Sequence, residues 1–122
     1  MSANISPTAA RVQTDAGVCG HQTTITATKT EGYNVRVTVE SDCPHVAKIG
    51  AEVEELDALQ QIGLRGGLPP ALDVAYRHCI HAACPVPSGL IKAIEVAAGL
   101  ALPQDAHICV GKEEWAMTPS SK

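Results

Sequence analysis

Between His21 and Ser41 the chain alternates, and that alternation limits the fold more than any other feature. Tyr33, Val35, Val37 and Val39 fall on one face; Asn34, Arg36, Thr38 and Glu40 fall on the other. Upstream, Ile25 and Ala27 sit between threonines in the same rhythm. A period of two is the signature of a strand with one buried face. With Glu31-Gly32-Tyr33 as a three-residue loop, the two runs form a hairpin that sets Ile25 opposite Val39 and Ala27 opposite Val37. A slip of one residue would turn every apolar side chain to water. The same register carries His21 opposite Cys43, with directly opposed Cβ atoms about 4.5–5.5 Å apart, and leaves Cys19 a diagonal neighbour at about 7–8 Å.

The rest of the chain reads as helices around this hairpin. Asp42-Cys43-Pro44 closes the second strand, with Asp42 or Cys43 as a cap and Pro44 in a first turn. From there to Gln61, Val46, Ile49, Val53 and Leu56 recur at helical spacing, opposite Lys48, Glu52, Glu54, Glu55 and Asp57, so an amphipathic helix is expected. Gly63 to Pro70 is a break. A short helix is expected from Ala71 to Ala83, then the rigid connector Cys84-Pro85-Val86-Pro87. A second long helix follows, capped by Ser88, striped by Leu90, Ile91 and Ile94, and ending near Gly99. Ala106 to Val110 is expected as a short strand. Residues 1–18 read as a loosely ordered arm with a short strand around Arg11 to Gln13, residues 19–110 as one domain, and residues 111–122 as a loose tail. The expected class is α+β, a small antiparallel sheet with helices packed on one face.

At 122 residues there is room for one core. Only Tyr33, Tyr76 and Trp115 are aromatic, so Val, Ile, Leu and Ala must build it. A net charge of −4 with no basic block argues against nucleic acid as a partner. No apolar run reaches the roughly 18–20 residues of a membrane span. Met1 to Asp15 lacks a basic region followed by an apolar run, so no signal peptide is expected and the simplest compartment is the cytoplasm. There, cysteines are normally reduced and serve metal binding or chemistry more often than disulfides. An odd count of five points the same way.

Three of the five cysteines repeat one local pattern, Cys-x-His: Cys19-Gly20-His21, Cys43-Pro44-His45 and Cys79-Ile80-His81, with Cys84 five residues after Cys79. Thiolate and imidazole are the ligands of zinc, iron and iron–sulfur clusters. Cys43 and Cys84 are expected near helix starts, where partial positive charge stabilises a thiolate. The candidate metal ligands are Cys19, His21, Cys43, Cys79, His81 and Cys84.

On these residues the chain resembles the scaffold proteins of iron–sulfur cluster assembly, of the IscU/NifU N-terminal type. In that family three cysteines at one end of an α+β fold hold a nascent cluster or zinc, helped by an aspartate and a histidine. The first cysteine of the family, followed by Gly-Asp, corresponds to Cys19-Gly20, with His21 in place of the aspartate. The second, which ends a strand, corresponds to Cys43. The third follows a histidine and precedes a helix with an Ile-Lys-Ala-like segment. His78-Cys79 supplies the pair, Cys84 supplies the distance, and the segment is Leu90-Ile91-Lys92-Ala93-Ile94. Leu68-Pro69-Pro70 is similar to the family's chaperone-recognition segment but stands too far before either cysteine. The resemblance implies an iron–sulfur cluster or zinc as cofactor, a sulfur donor and a cluster-accepting protein as partners, and room for a homodimer, since three thiolates leave a coordination gap.

Two other functions fit the same residues. One is thiol-based sulfur transfer or redox work by Cys79 and Cys84 with His78 and His81. The other is a structural zinc or interaction module without chemistry. Cys109 reads as a core residue of its short strand, His45 and His107 as solvated or capping residues, and Glu52 to Asp57 as a wet helix face. Gly63 to Gly67 lacks the Lys-Ser/Thr ending of a phosphate loop.

Overall fold

The computed structural model describes residues 9–112. Four antiparallel strands form a meander in the order β1 (Ala9–Asp15), β2 (Gln22–Lys29), β3 (Asn34–Ser41) and β4 (Glu55–Asp57). β2 and β3 pair in the expected register, Ile25 against Val39 and Ala27 against Val37. The turn is closed by Asn34 N–H donating to Glu31 O and Thr30 N–H donating to Asn34 O, each 2.9 Å.

Two helices follow, α1 (Pro70–His78) and α2 (Val86–Ala97). α2 lies across β1 and β2, and α1 packs on α2. Ile25, Val35, Ile49, Leu90 and Ile94 are among the largest fully buried side chains, with Ala27, Ala71, Ala75 and Ala93 filling between them. No helix among the described residues is long and apolar enough to cross a membrane.

Several expectations are corrected. The arm over 1–18 contributes a seven-residue strand, Ala9–Asp15, longer than Arg11 to Gln13. Its alternation is masked by small and polar residues, since only Ala10, Val12 and Thr14 face inward, against Ala27, Ile25 and Thr23.

The helix over 44–61 does not form. Its place is taken by a 3₁₀ helix (Val46–Ala51), strand β4 and a second 3₁₀ turn (Ala58–Gln60). The burial pattern holds, with Val46, Ile49 and Val53 inside, because i, i+3 spacing also suits a 3₁₀ turn. A continuous helix would stack Glu52 beside Glu55 and leave the outer edge of β3 unpaired. Instead, Val35 pairs with Leu56 and Arg36 with Glu55. The acidic run is therefore no helix face. Glu55 meets Arg36 at 3.4 Å, Glu52 meets His78 and Arg77, and Asp57 accepts the Leu59 N–H at 3.0 Å.

The first helix stops at His78 rather than Ala83, and α2 begins at Val86 with Pro85 at its cap, ahead of Ser88. Pro87 in the first turn lacks an N–H that the helix would leave unpaired anyway. Ala106 to Val110 is irregular rather than a strand, and Cys109 is half-buried outside the core. Residues 113–122 of the expected tail lie outside the described residues.

Two contacts lock the helices to the sheet layer. Buried Gln61 accepts the Ala71 N–H at 2.8 Å through Oε1 and donates through Nε2 to Asp57 O at 3.3 Å, so it satisfies an otherwise open donor of α1's first turn. Gly89 is where α2 touches β1: a Cβ there would stand 2.8 Å from Thr14 Oγ1 and 3.3 Å from Val12 Cγ1. Gly89→Ala should therefore destabilise the domain by about 1–3 kcal/mol through overpacking, outweighing a helix-propensity gain of about 1 kcal/mol. Thr14→Ala in the same chain should restore part of it, a coupling that urea melts of the two single variants and the double variant would read.

Candidate metal and thiol site

Three connections meet at one end of the sheet. In the first, between β1 and β2, Asp15 Oδ1 accepts the Gly17 N–H at 3.0 Å and the turn Gly17–Cys19 follows. Gly17 and Gly20 hold φ of +79° and +76°, left-handed values that favour glycine. Between them Cys19 is lifted into solvent. In the second, after β3, Ser41 Oγ accepts the Cys43 N–H at 3.1 Å and meets Thr23 Oγ1 at 2.8 Å, fixing the backbone at Cys43. The third joins α1 to α2 and carries Cys79, His81 and Cys84, with the Cys84 N–H donating to His81 O at 3.1 Å.

All six expected ligands stand along this rim, four of them in two pairs. Cys19 Sγ lies 3.5 Å from His81 Nδ1. Cys79 Sγ lies 3.7 Å from Cys84 Sγ. Cys43 is near enough for its charge to act on Cys79. His21 bonds Asp42, whose Oδ1 is 3.0 Å from His21 Nδ1. Among the described residues, no group of three or more His, Cys, Asp or Glu side chains is drawn together tightly enough to hold a metal ion. Cys84 is paired with Cys79, and Cys19 with His81. His78 is turned to Glu52.

Cys43, Cys79 and Cys84 all pack on the edge of the aliphatic core. Burial pushes the Cys79 thiol up to about 12, helped by its hydrogen bond to Cys84 and by repulsion from Cys84 and Cys43. Cys79 is thus a protonated thiol, a poor nucleophile until its proton is displaced. A soft cation relieves those same causes, because a thiol that coordinates metal loses its proton outright. Cys84 stands just before α2, as expected, whereas Cys43 precedes a 3₁₀ turn rather than a long helix.

A shallow groove lies elsewhere, lined by Ile62, Leu64, Tyr76 and Lys92, and none of the six rim residues borders it. Sequence reasoning missed Asp42 and Ser41 as braces of the rim. The register held the signal for both, since it places residue 42 beside 22 and residue 41 against 23.

Fold and rim define the class: a small α+β domain with thiols and imidazoles set around one end of an antiparallel sheet. The chain belongs to a family of unknown function (DUF6951), whose profile matches residues 10–110. Neither the curated proteins nor the solved structures give a match.

Alkylation of the metal-free protein with iodoacetamide, followed by peptide mass spectrometry, checks the thiol order. Exposed Cys19 should label well before Cys79 near pH 8. Cys84→Ala should speed Cys79, because it removes the hydrogen bond and one repelling neighbour while leaving the desolvation. Equal rates for Cys19 and Cys79 would contradict the burial argument.

Proposed function

We propose that this protein is a small scaffold or carrier for an iron–sulfur cluster, or for zinc, held by Cys79 and Cys84 together with Cys43, Cys19 and the rim histidines. The observation that carries the reading is the Cys79–Cys84 spacing. Metal–sulfur bonds of about 2.3 Å around a tetrahedral ion set two sulfurs about 3.8 Å apart, and these stand at 3.7 Å. The donor set is soft thiolate with imidazole, the chemistry that selects zinc, iron and clusters over hard cations.

The order of the thiols along the chain supports the same reading. One follows β1, one follows β3 and a pair precedes α2, an order similar to that of the IscU/NifU N-terminal type, in which a single third cysteine stands where Cys79 and Cys84 stand here. The Cys19–His81 contact already joins the β1–β2 connection to the α1–α2 connection, so loading needs only the Cys79–Cys84 pair and this contact to close on one ion. A site assembled from two loops on a rigid sheet suits cargo that must leave again. The reading requires a sulfur donor and a cluster-accepting protein, and two subunits sharing one cluster would fill an open coordination position. The same sulfur pair suits thiol redox work, but a Cys79 held protonated is a weak attacking group.

Anaerobic purification with metal analysis, followed by reconstitution with ferrous iron and sulfide, tests the proposal. The wild-type chain should carry stoichiometric metal or develop visible thiolate-to-iron absorption. Cys79→Ala and Cys84→Ala should each abolish stoichiometric binding, Cys19→Ala and Cys43→Ala should weaken it, and Cys109→Ala should leave it unchanged. A colourless protein that takes up neither zinc nor a cluster would end the reading.

A further inference from the structure

We infer that Asp42 is a positioning residue that fixes the tautomer of His21 and so presents His21 Nε2 as the nitrogen donor of the rim; this rests on the metal-carrier reading above. Asp42 Oδ1 lies 3.0 Å from His21 Nδ1 and also accepts the Gln22 backbone N–H at 3.0 Å. An ionised carboxylate only accepts hydrogen bonds, so the proton between the two side chains belongs to Nδ1. In the neutral ring that leaves Nε2 bare, with its lone pair free. A carboxylate behind a ligating imidazole is how proteins orient the ring and raise its basicity toward a metal.

The placement agrees. β2 and β3 stay paired through Thr23 and Ser41, and the Asp42 N–H still reaches Gln22 O at 3.3 Å. His21 is therefore next in register to Cys43 and two residues from Cys19. With side chains 41% and 63% exposed, the pair adds little to stability. What it supplies is direction: the imidazole is held at the strand end instead of swinging free.

The test uses the full chain labelled with ¹⁵N-histidine. Long-range ¹H–¹⁵N correlation spectra at about pH 8, above the usual imidazole range, read which nitrogen carries the proton. The metal-free wild type should show His21 protonated at Nδ1. Zinc titration should then shift the Nε2 resonance of His21. Both bonds fall on one oxygen, which an asparagine amide also supplies, so Asp42→Asn should keep the tautomer and near-native zinc affinity. Asp42→Ala should lose the Nδ1–H tautomer and bind zinc about 10–100-fold more weakly in competition with a chromogenic chelator.

A wild-type His21 protonated at Nε2 overturns the inference. So does an Asp42→Ala chain with native affinity when His21→Ala has lost affinity. Zinc binding that leaves the Nε2 resonance untouched removes His21 from the site but leaves the carrier reading standing. Failure to bind zinc or a reconstituted cluster at all ends the carrier reading, and the donor role with it. The first two measurements need only the native chain, so they decide the matter even if Asp42→Ala does not fold.

Discussion

Everything at the cysteine-bearing end hangs on the pairing of β2 with β3. The turn from Thr30 to Asn34 sets the register. That register buries Ile25, Ala27, Val35 and Val37 on one face and leaves the threonine-rich face to water. Side chains in a strand repeat every two residues, so the hairpin has one acceptable alignment. Once it is chosen, the far end of the ladder is determined as well. Thr23 meets Ser41, Gln22 meets Asp42, and His21 and Cys43 come next. Chemistry at the rim is thus aligned by burial of aliphatic side chains more than ten ångströms along the strands, at about 3.4 Å per residue.

What could be read from the chain alone follows from the range of the forces involved. The hairpin register, the break over Gly63 to Pro70 and the stripe of α2 were legible, because periodic burial and turn residues are local signals. The segment from Pro44 to Gln61 shows where locality fails. Val46, Ile49 and Val53 are buried as their spacing demands, yet their backbone is 3₁₀ and extended. The deciding partner is the free edge of β3, which is distant in sequence and open to Glu55–Asp57. β1 was only half legible for the opposite reason. Its inward residues are small or hydroxylated, so its strand character comes from pairing with β2 rather than from its own hydrophobicity.

The candidate site was legible as a set and not as a geometry. All six residues do reach one end of the sheet, because each lies at the boundary of an element and the boundaries gather there. Their pairing is another matter. Cys79 meets Cys84 and Cys19 meets His81 because α1 ends at His78, five residues earlier than its composition suggests. That early stop frees Cys79 to His81 from the helix and lets the connection fold back toward the β1–β2 turn. Helix ends depend on capping and tertiary fit, which a single sequence signals weakly.

The thin core and the thiol rim are two sides of one arrangement. With no phenylalanine in the chain, the edge of the core is finished by Cys43, Cys79 and Cys84, small side chains that pack like aliphatics. Burial and the neighbouring sulfurs of Cys84 and Cys43 hold the proton on Cys79, since a thiolate on a low-dielectric edge would be both desolvated and repelled. The same feature makes the edge responsive. A soft cation bound there, as proposed, would displace the Cys79 proton and replace the S–H contact with Cys84 by metal–sulfur bonds, so proton release and metal uptake would be one step. The frame beneath these sulfurs is built by the sheet, by α2 and by Gln61, which ties the β4 connection to the start of α1.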